Sequence, residues 1–362
     1  MSRKLAHVEE IKWISPIEGK DRIVLAGILG WQVIVQRSEY QVGDKVIFVE
    51  IDSVLPEKPE FEFLRSKKFR IKTMRMAKCT SQGICFPLSI LPEGNYEIGD
   101  DVTELMGITQ YEPTMDVERD TEPTTPKNVK KYPKFLMKFK WFRNLVLPKK
   151  QAKGFPSFIS KTDETRIQNA PHYLNMDIEF IATEKVDGQS GTFTLQKIKG
   201  KHWWNKDKYD FAVCSRNLRL YSKDNSSYWS VVEKYNLEKV LHELIGDNEW
   251  VAIQGECIAP KVQGNKYKVS EPDLYVFNII YPSGRLGSLE AKEIANRHGL
   301  KFVPIIDEAK SLKGMSVNDV LDYATGKSQL YNTLREGIVF RSKDGVYSFK
   351  AVSPEFLIKY DE

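Results

Sequence analysis

Short stretches in which apolar and polar residues alternate recur through the first part of the chain. A period of two is typical of β-strands that bury one face. The pattern predicts strands at residues 22–26, 31–35, 45–49, 69–73 and 83–86. Turn-forming residues separate several of these stretches, among them Gly43-Asp44 and the sequence Pro92-Glu93-Gly94-Asn95.

This spacing favours a small closed sheet. About five strands within residues 1–105 suit a five-stranded Greek-key β-barrel of the OB type. Six basic residues cluster in its second half: Arg65, Lys67, Lys68, Arg70, Lys72 and Arg75. They could face a nucleic acid, or they could form the ordinary polar face of a strand. We expect residues 1–105 to form an OB-type nucleic-acid-binding domain.

The pattern changes from about residue 151, where helical and strand periods alternate. Apolar residues at helical spacing, with capping residues, predict helices at 161–168 (N-cap Thr162 or Asp163), 228–245, 288–298 and 316–326. Strands are predicted at 211–215, 250–257, 274–280, 336–341 and 346–351. This mixture indicates an α+β domain over residues 151–362, built of packed antiparallel sheets with flanking helices.

Composition excludes several classes of protein. The chain has 362 residues, of which 41% are hydrophobic and 28% charged, as in soluble globular proteins. No apolar stretch has the length of a membrane span, and the first residues do not form a secretory signal. We therefore expect an intracellular protein, cytoplasmic or nuclear, that does not contact a membrane.

Cysteine and histidine chemistry is not indicated. The four cysteines lack CxxC spacing, which argues against a disulfide framework and a zinc knuckle. The five histidines are scattered, so a histidine-based metal site or catalytic triad is not supported either.

Positive charge is concentrated in one segment. The net charge is +5, yet residues 127–153 contain ten basic residues and no acidic one, which leaves −5 for the rest of the chain. Five aromatic residues are interleaved with them: Tyr132, Phe135, Phe139, Trp141 and Phe142. Such a segment could bind a phosphate backbone and stack on bases, or it could be a solvated linker. Residues 106–150 are predicted to be a linker that carries it.

The candidate chemistry is centred on one lysine. The apolar alternation of Ile178, Phe180 and Ala182 predicts a strand that leads to Lys185 and then to the turn pair Asp187-Gly188. A lysine followed by an acid two residues later could be a nucleophile. The pattern Lys-x-Asp-Gly is weak by itself, so the later segments decide its interpretation.

Four later segments follow in a fixed order. They are Ser215-Arg216-Asn217, Gln254-Gly255-Glu256, Phe277-Asn278, and Glu336-Gly337 with Lys350 after the turn Lys343-Asp344-Gly345. This order resembles the nucleotidyltransferase motifs of ATP-dependent polynucleotide ligases and capping enzymes. The Ser-Arg-Asn and Phe-Asn segments, and a barrel placed ahead of Phe155-Pro156 and residues 161–168, are similar to the nick-sealing RNA ligases with an N-terminal OB domain.

The resemblance implies a role for each residue. Residues 151–362 would be an adenylyltransferase domain of the ATP-grasp-like ligase type, with Lys185 as the nucleophile that becomes lysyl-AMP. The nucleotide would be bound by Glu184, Arg166, Gln168, Arg216, Glu256, Phe277 and Lys350. A divalent metal, Mg²⁺ or Mn²⁺, would be held by Asp187, Glu256 and Glu336. For each residue the alternative is structural: a turn, a strand end, core packing or a solvated helix face.

The chemistry of these residue types agrees with the roles. A lysine amine must be neutral to attack the α-phosphorus of ATP, against a reference pKa of about 10.4, and nearby positive charge favours the neutral form. Carboxylate oxygens suit a hydrated Mg²⁺. One position departs from the family pattern, because Ser348 stands where a first lysine is usual. Lys350 would then act alone, or Lys359 would substitute.

The resemblance predicts an ATP-dependent RNA ligase, acting as a monomer on nicked duplexes with RNA at the 3′-hydroxyl side. Two alternatives stay open: a DNA ligase or capping-type nucleotidyltransferase, and a non-catalytic OB-type nucleic-acid-binding protein.

Overall fold

A computed structural model describes residues 3–111, 154–200, 206–221, 223 and 226–360. The basic-aromatic segment 127–153 and most of the predicted linker 106–150 lie outside these residues. The chain divides into two compact units. The first comprises residues 1–114, 163–187 and 303–362, and the second comprises 115–162 and 188–302. The domain boundaries at 105 and 151 stay a prediction.

The strands, in chain order, are β1 Ala6–Glu10, β2 Trp13–Ile17, β3 Lys20–Ile28, β4 Trp31–Gln36, β5 Lys45–Val49, β6 Ser53–Val54, β7 Thr73–Met76, β8 Cys79–Gln82, β9 Ile84–Pro87, β10 Thr109–Gln110, β11 Glu179–Lys185, β12 Gln189–Ile198, β13 Lys208–Cys214, β14 Arg219–Leu220, β15 Trp250–Ile258, β16 Asp273–Tyr281, β17 Gly284–Arg285, β18 Lys301–Phe302, β19 Ile305–Ser311, β20 Gly337–Ser342 and β21 Ser348–Val352. The helices are α1 Thr103–Met106, α2 Ser227–Tyr235, α3 Leu237–Ile245, α4 Ser288–Arg297, α5 Val317–Ala324 and α6 Pro354–Tyr360.

The N-terminal part of the first unit consists of short antiparallel strands. Two three-stranded sheets, with orders β1-β5-β9 and β2-β3-β4, surround an apolar core that contains Trp31, Phe48 and Ile47. Four of the five strands predicted there are present. The alternation of β4, with Trp31, Val33 and Val35 buried, is what the sequence pattern requires of a one-sided sheet.

The strand predicted at 69–73 is wrong. Residues Pro59–Lys67 form a 3₁₀-helix, and Lys68 and Phe69 then adopt φ values of 53° and 56°. Positive φ angles reverse the chain direction and prevent an extended strand, so β7 begins only at Thr73. Of the six basic residues in this region, five lie outside the named strands, and Arg75 is exposed on β7. Arg70 is buried with its guanidinium carbon 3.4 Å from the centre of the Tyr111 ring.

A four-stranded sheet of the first unit has the antiparallel order β19-β11-β20-β21. Its core is aromatic: the rings of Phe340 and Phe349 stack at 5.0 Å, and Phe180 meets Phe349 edge-on at 5.3 Å. Helix α5 begins with the predicted capping box, in which Ser316 and Asp319 exchange hydrogen bonds, and packs Val320 and Leu321 into the same core. The strand expected to lead to Lys185 is therefore present and well supported.

The second unit is built on a sheet with the order β14-β13-β12-β15-β16-β17, to which β18 adds in parallel beside β16. Helices α2, α3 and α4 contribute to its core. The single helix predicted at 228–245 is two helices, because Asn236 between them has a φ of 52°. An asparagine tolerates this left-handed conformation and ends the first helix.

The helix predicted at 161–168 is also wrong. Residues 161–165 are not helical, Arg166 forms a bridge to Lys350, and only Ile167–Asn169 makes a 3₁₀ turn. Within the described ranges, no helix has both the length and the apolar character that a membrane crossing requires.

Candidate active site

Lys185 is the last residue of β11, where it pairs with Gly337 on β20. Glu336 directly precedes β20, so the antiparallel register brings its carboxylate to the lysine. The ammonium nitrogen Nζ lies 2.6 Å from both carboxylate oxygens of Glu336. Both side chains are only partly exposed, 27% for Lys185 and 13% for Glu336. The structure therefore joins two of the residues that the sequence singled out.

Lys350 lies on the same face of this sheet. It pairs with Val339, two residues beyond Gly337, and residues two apart on a strand share a face. Its Nζ is 2.9 Å from Oδ1 of Asp163. Burial, together with repulsion from Arg166 and Lys185, lowers the pKa of Lys350 to about 8, although Asp163 opposes the shift. Lys350 is thus a cation close enough to the candidate nucleophile to feel its charge, and it loses its proton more readily than an ordinary lysine.

Arg166 and Gln168 are buried, so the alternative of a water-exposed helix face is wrong for both. The backbone N–H of Lys350 donates to the carbonyl of Thr165, which lays this segment along β21. Arg166 donates from Nη2 to Oδ2 of Asp52 at 2.8 Å. Gln168 donates from Nε2 to the side-chain oxygen of Gln82 at 3.2 Å.

Glu184 points into the interior of the first unit. Its carboxylate accepts hydrogen bonds from the Ser328 hydroxyl at 2.5 Å and from the Gln329 backbone N–H at 2.8 Å. Burial raises the pKa of Glu184 above its ordinary value, while these two bonds oppose the shift. The side chain that was expected to bind the nucleotide therefore anchors residues 328–329. Asp187, two residues after Lys185, is buried as well.

The second unit carries the other three predicted residues. Arg216 is exposed in the turn between β13 and β14, where the backbone N–H of Ser215 donates to the carbonyl of Leu218. Glu256 lies within β15 and is partly exposed, opposite Ser190 on β12. The strand predicted to end near it continues to Ile258.

Phe277 lies at an irregularity of β16. Gln254 pairs with Asn278 and the next residue, Gly255, pairs with Val276, so Phe277 is an extra residue in the strand. A bulge of this kind re-aims a side chain relative to regular pairing. Phe277 is partly exposed, whereas its neighbours Val276 and Asn278 are buried. This geometry favours a surface-facing aromatic ring over plain core packing.

A metal site is not pre-assembled in the described ranges, where no group of three or more His, Cys, Asp or Glu side chains could hold an ion. Glu336 is held by Lys185 instead. The donor chemistry still fits a hydrated divalent ion, because Mg²⁺ is commonly bound through one or two carboxylates, waters and substrate phosphates.

Ser348, in the place of the usual first lysine, lies opposite Arg341 in the β20–β21 pair. The hydroxyl of Ser348 is buried and has no hydrogen-bond partner among the described residues. Arg341 is buried and bonds through Nη2 to Oε1 of Glu164 at 3.1 Å. Lys359 is exposed on α6, with Nζ 5.1 Å from the centre of the Tyr360 ring. The residue paired with Ser348 across β20 and β21 is therefore itself a cation, Arg341.

Two comparisons with known proteins identify the chain's family. Residues 5–88 match the family model of an OB-fold domain, which confirms the N-terminal OB prediction. Residues 178–360 match the model of the RNA ligase family. The chain belongs to the RNA ligase family. Comparison with curated protein sequences gives no match.

Solved structures similar to this RNA ligase come from Naegleria gruberi. The Naegleria RNA ligase with PPi is 30% identical, with a TM-score of 0.79, and 99% of each chain is covered. A mutant of it with ATP and Mn is 29% identical, with 99% of this chain and 98% of that chain covered and a TM-score of 0.78. A further mutant, with AMP and Mn, has 29% identity, 99% coverage of both chains and a TM-score of 0.78.

Family membership confirms the α+β fold with an N-terminal OB domain and an RNA ligase activity. No functional role was predicted from the sequence for three residues that make contacts around the site: Asp163, Ser328 and Glu164. Asp163 and Glu164 had a detectable signal, because they are the acids of the segment that contains Arg166. Ser328 had none, because it is 144 residues from its partner Glu184.

Proposed function

We propose that this RNA ligase uses ATP to adenylylate Lys185 and then seals a 5′-phosphate to a 3′-hydroxyl RNA end in a nicked duplex. The observation that carries the proposal is the contact between Lys185 and Glu336, with Lys350 on the same sheet face. The Naegleria structures that contain ATP, AMP and PPi agree with it, since these are the substrate, the transferred group and the leaving group of such a step.

In the first step, the neutral amine of Lys185 attacks the α-phosphorus of ATP. A P–N bond forms, the bond from the α-phosphorus to the bridging oxygen breaks, pyrophosphate leaves and the amine loses a proton. In the second step, AMP moves to a 5′-phosphate oxygen and the lysine amine is released. In the third step, the 3′-hydroxyl attacks the activated 5′-phosphate and AMP departs.

Glu336 is suited to hold the amine before reaction. Its carboxylate fixes the position of Nζ, and holding a reacting group in place lowers the entropic cost of reaching the transition state. A neighbouring carboxylate also favours the protonated amine, so Glu336 must lose this contact before Lys185 can attack. Asp187 and Glu256 would join Glu336 in binding a divalent cation. When bound, that cation would supply positive charge that favours the neutral amine and offsets charge on the phosphates.

Lys350 is suited to the α-phosphate, because a cation that develops stronger contacts in the transition state accelerates phosphoryl transfer. Asp163 occupies Lys350 in this structure and must exchange with the phosphate. Arg166 would bind the β- and γ-phosphates and Arg216 the ribose or the incoming phosphate. Phe277 would stack on adenine, and Gln168 would contact the base.

Sealing of defined nicks tests the proposal. Four nicked duplexes carry either RNA or DNA at the 3′-hydroxyl side and either RNA or DNA at the 5′-phosphate side. We expect efficient sealing only where the 3′-hydroxyl end is RNA. Lys185→Ala should seal none of them.

Three outcomes contradict the proposal. Equal sealing of DNA at both ends would identify a DNA ligase, and protein labelling by GTP alone would identify a capping-type enzyme. Duplex binding without any sealing or labelling would leave a non-catalytic binding protein.

A further inference from the structure

The OB domain holds the segment Arg166–Asn169, which carries two of the candidate nucleotide-binding residues. The backbone N–H of Gly30, at the β3–β4 turn, donates to the carbonyl of Gln168 at 2.8 Å. A Cβ atom at position 30 would lie 2.8 Å from the Cα atom of Gln168, so this approach requires glycine. The segment is therefore fixed to the OB domain through its backbone.

Side chains of the OB domain bind the same segment. The indole N–H of Trp31 donates to Oδ1 of Asn169, and Nδ2 of Asn169 donates to Oε1 of Glu50 at 2.6 Å. Gln82 accepts the bond from Gln168 described above. The segment that is predicted to bind the nucleotide is thus packed against the OB domain within the first unit.

Asp52 of the OB domain forms an ion pair with this segment, through Arg166. Its Oδ2 accepts from Nη2 of Arg166 at 2.8 Å, and the same oxygen lies 3.5 Å from Nη1 of Arg3. Oδ1 lies 4.0 Å from Nη2 of Arg70. Burial would raise the pKa of Asp52, but Arg166, Arg3 and Arg70 outweigh it and the pKa is lowered. Asp52 is therefore an anion held among three guanidinium groups.

Two nitrogen atoms of the Arg166 guanidinium can still donate hydrogen bonds. Its side chain is 6% exposed, and its Nε and Nη1 have no hydrogen-bond partner among the described residues. Buried donors without partners are rare and costly in folded proteins. The positive charge of Arg166 also reaches Lys350, whose pKa it lowers. These donors are therefore suited to an anionic ligand beside Lys350.

We infer that Asp52 is a positioning residue for lysine adenylation, because it fixes the guanidinium of Arg166 so that the remaining donors meet the phosphates of ATP. The inference rests on the proposed function, in which Arg166 binds the β- and γ-phosphates.

The substitution Asp52→Asn tests this inference with little change of shape. Asp52 has a φ of 68°, and asparagine tolerates this conformation, whereas alanine would add backbone strain. Asn removes the charge that holds Arg166. We expect the rate of lysyl-AMP formation at subsaturating ATP to fall about tenfold or more, because a group that orients the reacting phosphates is no longer held in place. Most of the loss should be in KM for ATP.

Two controls separate positioning from folding. Asp44→Asn makes the same chemical change at an exposed site of the OB domain, where the Asp44 carboxylate accepts a local bond from the Gln41 backbone N–H, and it should keep the wild-type rate. Sealing of a pre-adenylylated nick bypasses the ATP step, and Asp52→Asn should perform it within about twofold of wild type, inside the range of ordinary surface substitutions.

A double-mutant cycle with Arg166→Gln decides whether Asp52 acts through Arg166. We expect Asp52→Asn to have little further effect once Arg166 is replaced. Three results would each overturn the inference. The Asp52→Asn variant could form lysyl-AMP at the wild-type rate, or Asp52→Asn could lower this rate equally with Arg166 present and with Arg166→Gln. Asp52→Asn could also slow the sealing of a pre-adenylylated nick as much as it slows lysyl-AMP formation. If wild-type protein forms no lysyl-AMP, the proposed function itself fails, which is a different result from a defect confined to Asp52→Asn.

Discussion

Lys350 is the residue whose charge state is most open to experiment. Its pKa is lowered to about 8 by burial and by the cations around it. Between pH 7 and pH 9 the ammonium group is therefore largely lost in the unliganded protein. A phosphate bound beside it would favour the charged form, so the amine of Lys350 would take up a proton on binding.

We predict that the affinity for α,β-methylene-ATP, which cannot transfer AMP, falls about tenfold more between pH 7 and pH 9 in wild type than in Lys350→Arg. The guanidinium of the variant stays charged over this range. Isothermal titration calorimetry at the two pH values measures the difference. Equal pH dependence of wild type and variant would rule out a phosphate contact that depends on the Lys350 charge.

Individual residues differ in how far the sequence could predict them. Motif order predicted Lys185, Glu336 and Lys350. It succeeded because these residues lie on or directly beside strands β11, β20 and β21, which pair in register in one sheet. The contacts that hold them were not found. Asp163 reaches Lys350 across 187 residues, and no local pattern records a contact of that separation.

At the scale of elements, periodicity worked where a strand or helix is regular and failed where single residues adopt a left-handed backbone. Lys68 and Phe69 displaced a predicted strand, and Asn236 divided a predicted helix. The segment at 161–168 failed for another reason. Asp163, one of its two candidate capping residues, instead pairs with Lys350, and the next residue, Glu164, pairs with Arg341.

The pairing of β20 with β21 depends on the small size of Gly337. A Cβ atom there would lie 2.2 Å from the carbonyl oxygen of Ala351, so the strands must move apart. We predict that Gly337→Ala lowers the free energy of unfolding by roughly 2 kcal/mol or more and slows adenylation, because Glu336 directly precedes β20 and Lys350 lies on β21.

Urea unfolding and lysyl-AMP formation check this prediction. Gly154→Ala is the control, since a Cβ atom at Gly154 meets nothing within 4 Å. An unchanged unfolding midpoint for Gly337→Ala would show that the strands accommodate the methyl group and would contradict the argument.

At the scale of the whole molecule, one compact unit is assembled from three separate stretches of the chain. The sequence predicted a barrel and a transferase domain in succession. It could not predict that residues 163–187 and 303–362 join the N-terminal residues in one unit, because chain order does not record which surfaces pack together.

A buried charge network supports this unit. His7 lies between two carboxylates, with Nδ1 2.8 Å from Glu9 and Nε2 3.4 Å from Glu50, and Glu50 also bonds to Arg3 and Asn169. Burial alone would lower the pKa of His7, but its bonds to Glu50 and Glu9 raise it from 6.5 to about 9. His7 is therefore cationic at neutral pH.

A group whose pKa is higher in the folded state than in the unfolded state stabilises the protein at pH values below its unfolded-state pKa. This stabilisation is lost as the pH rises through the folded-state pKa. We predict that the stability difference between wild type and His7→Gln is largest below about pH 6.5 and shrinks by up to roughly 3 kcal/mol as pH passes 9. Urea unfolding followed by tryptophan fluorescence over this range measures it. Parallel pH profiles for the two proteins would contradict a charged His7.

The central claim is that Lys185 becomes covalently bound to AMP. Purified protein is incubated with ATP labelled in the α-phosphate and a divalent metal, digested, and the labelled peptide is sequenced. The account predicts label on Lys185 alone, none in Lys185→Ala, and full labelling in Lys343→Ala, an exposed lysine on the turn between β20 and β21. Label that persists in Lys185→Ala, or a wild-type protein that never acquires AMP, would contradict it.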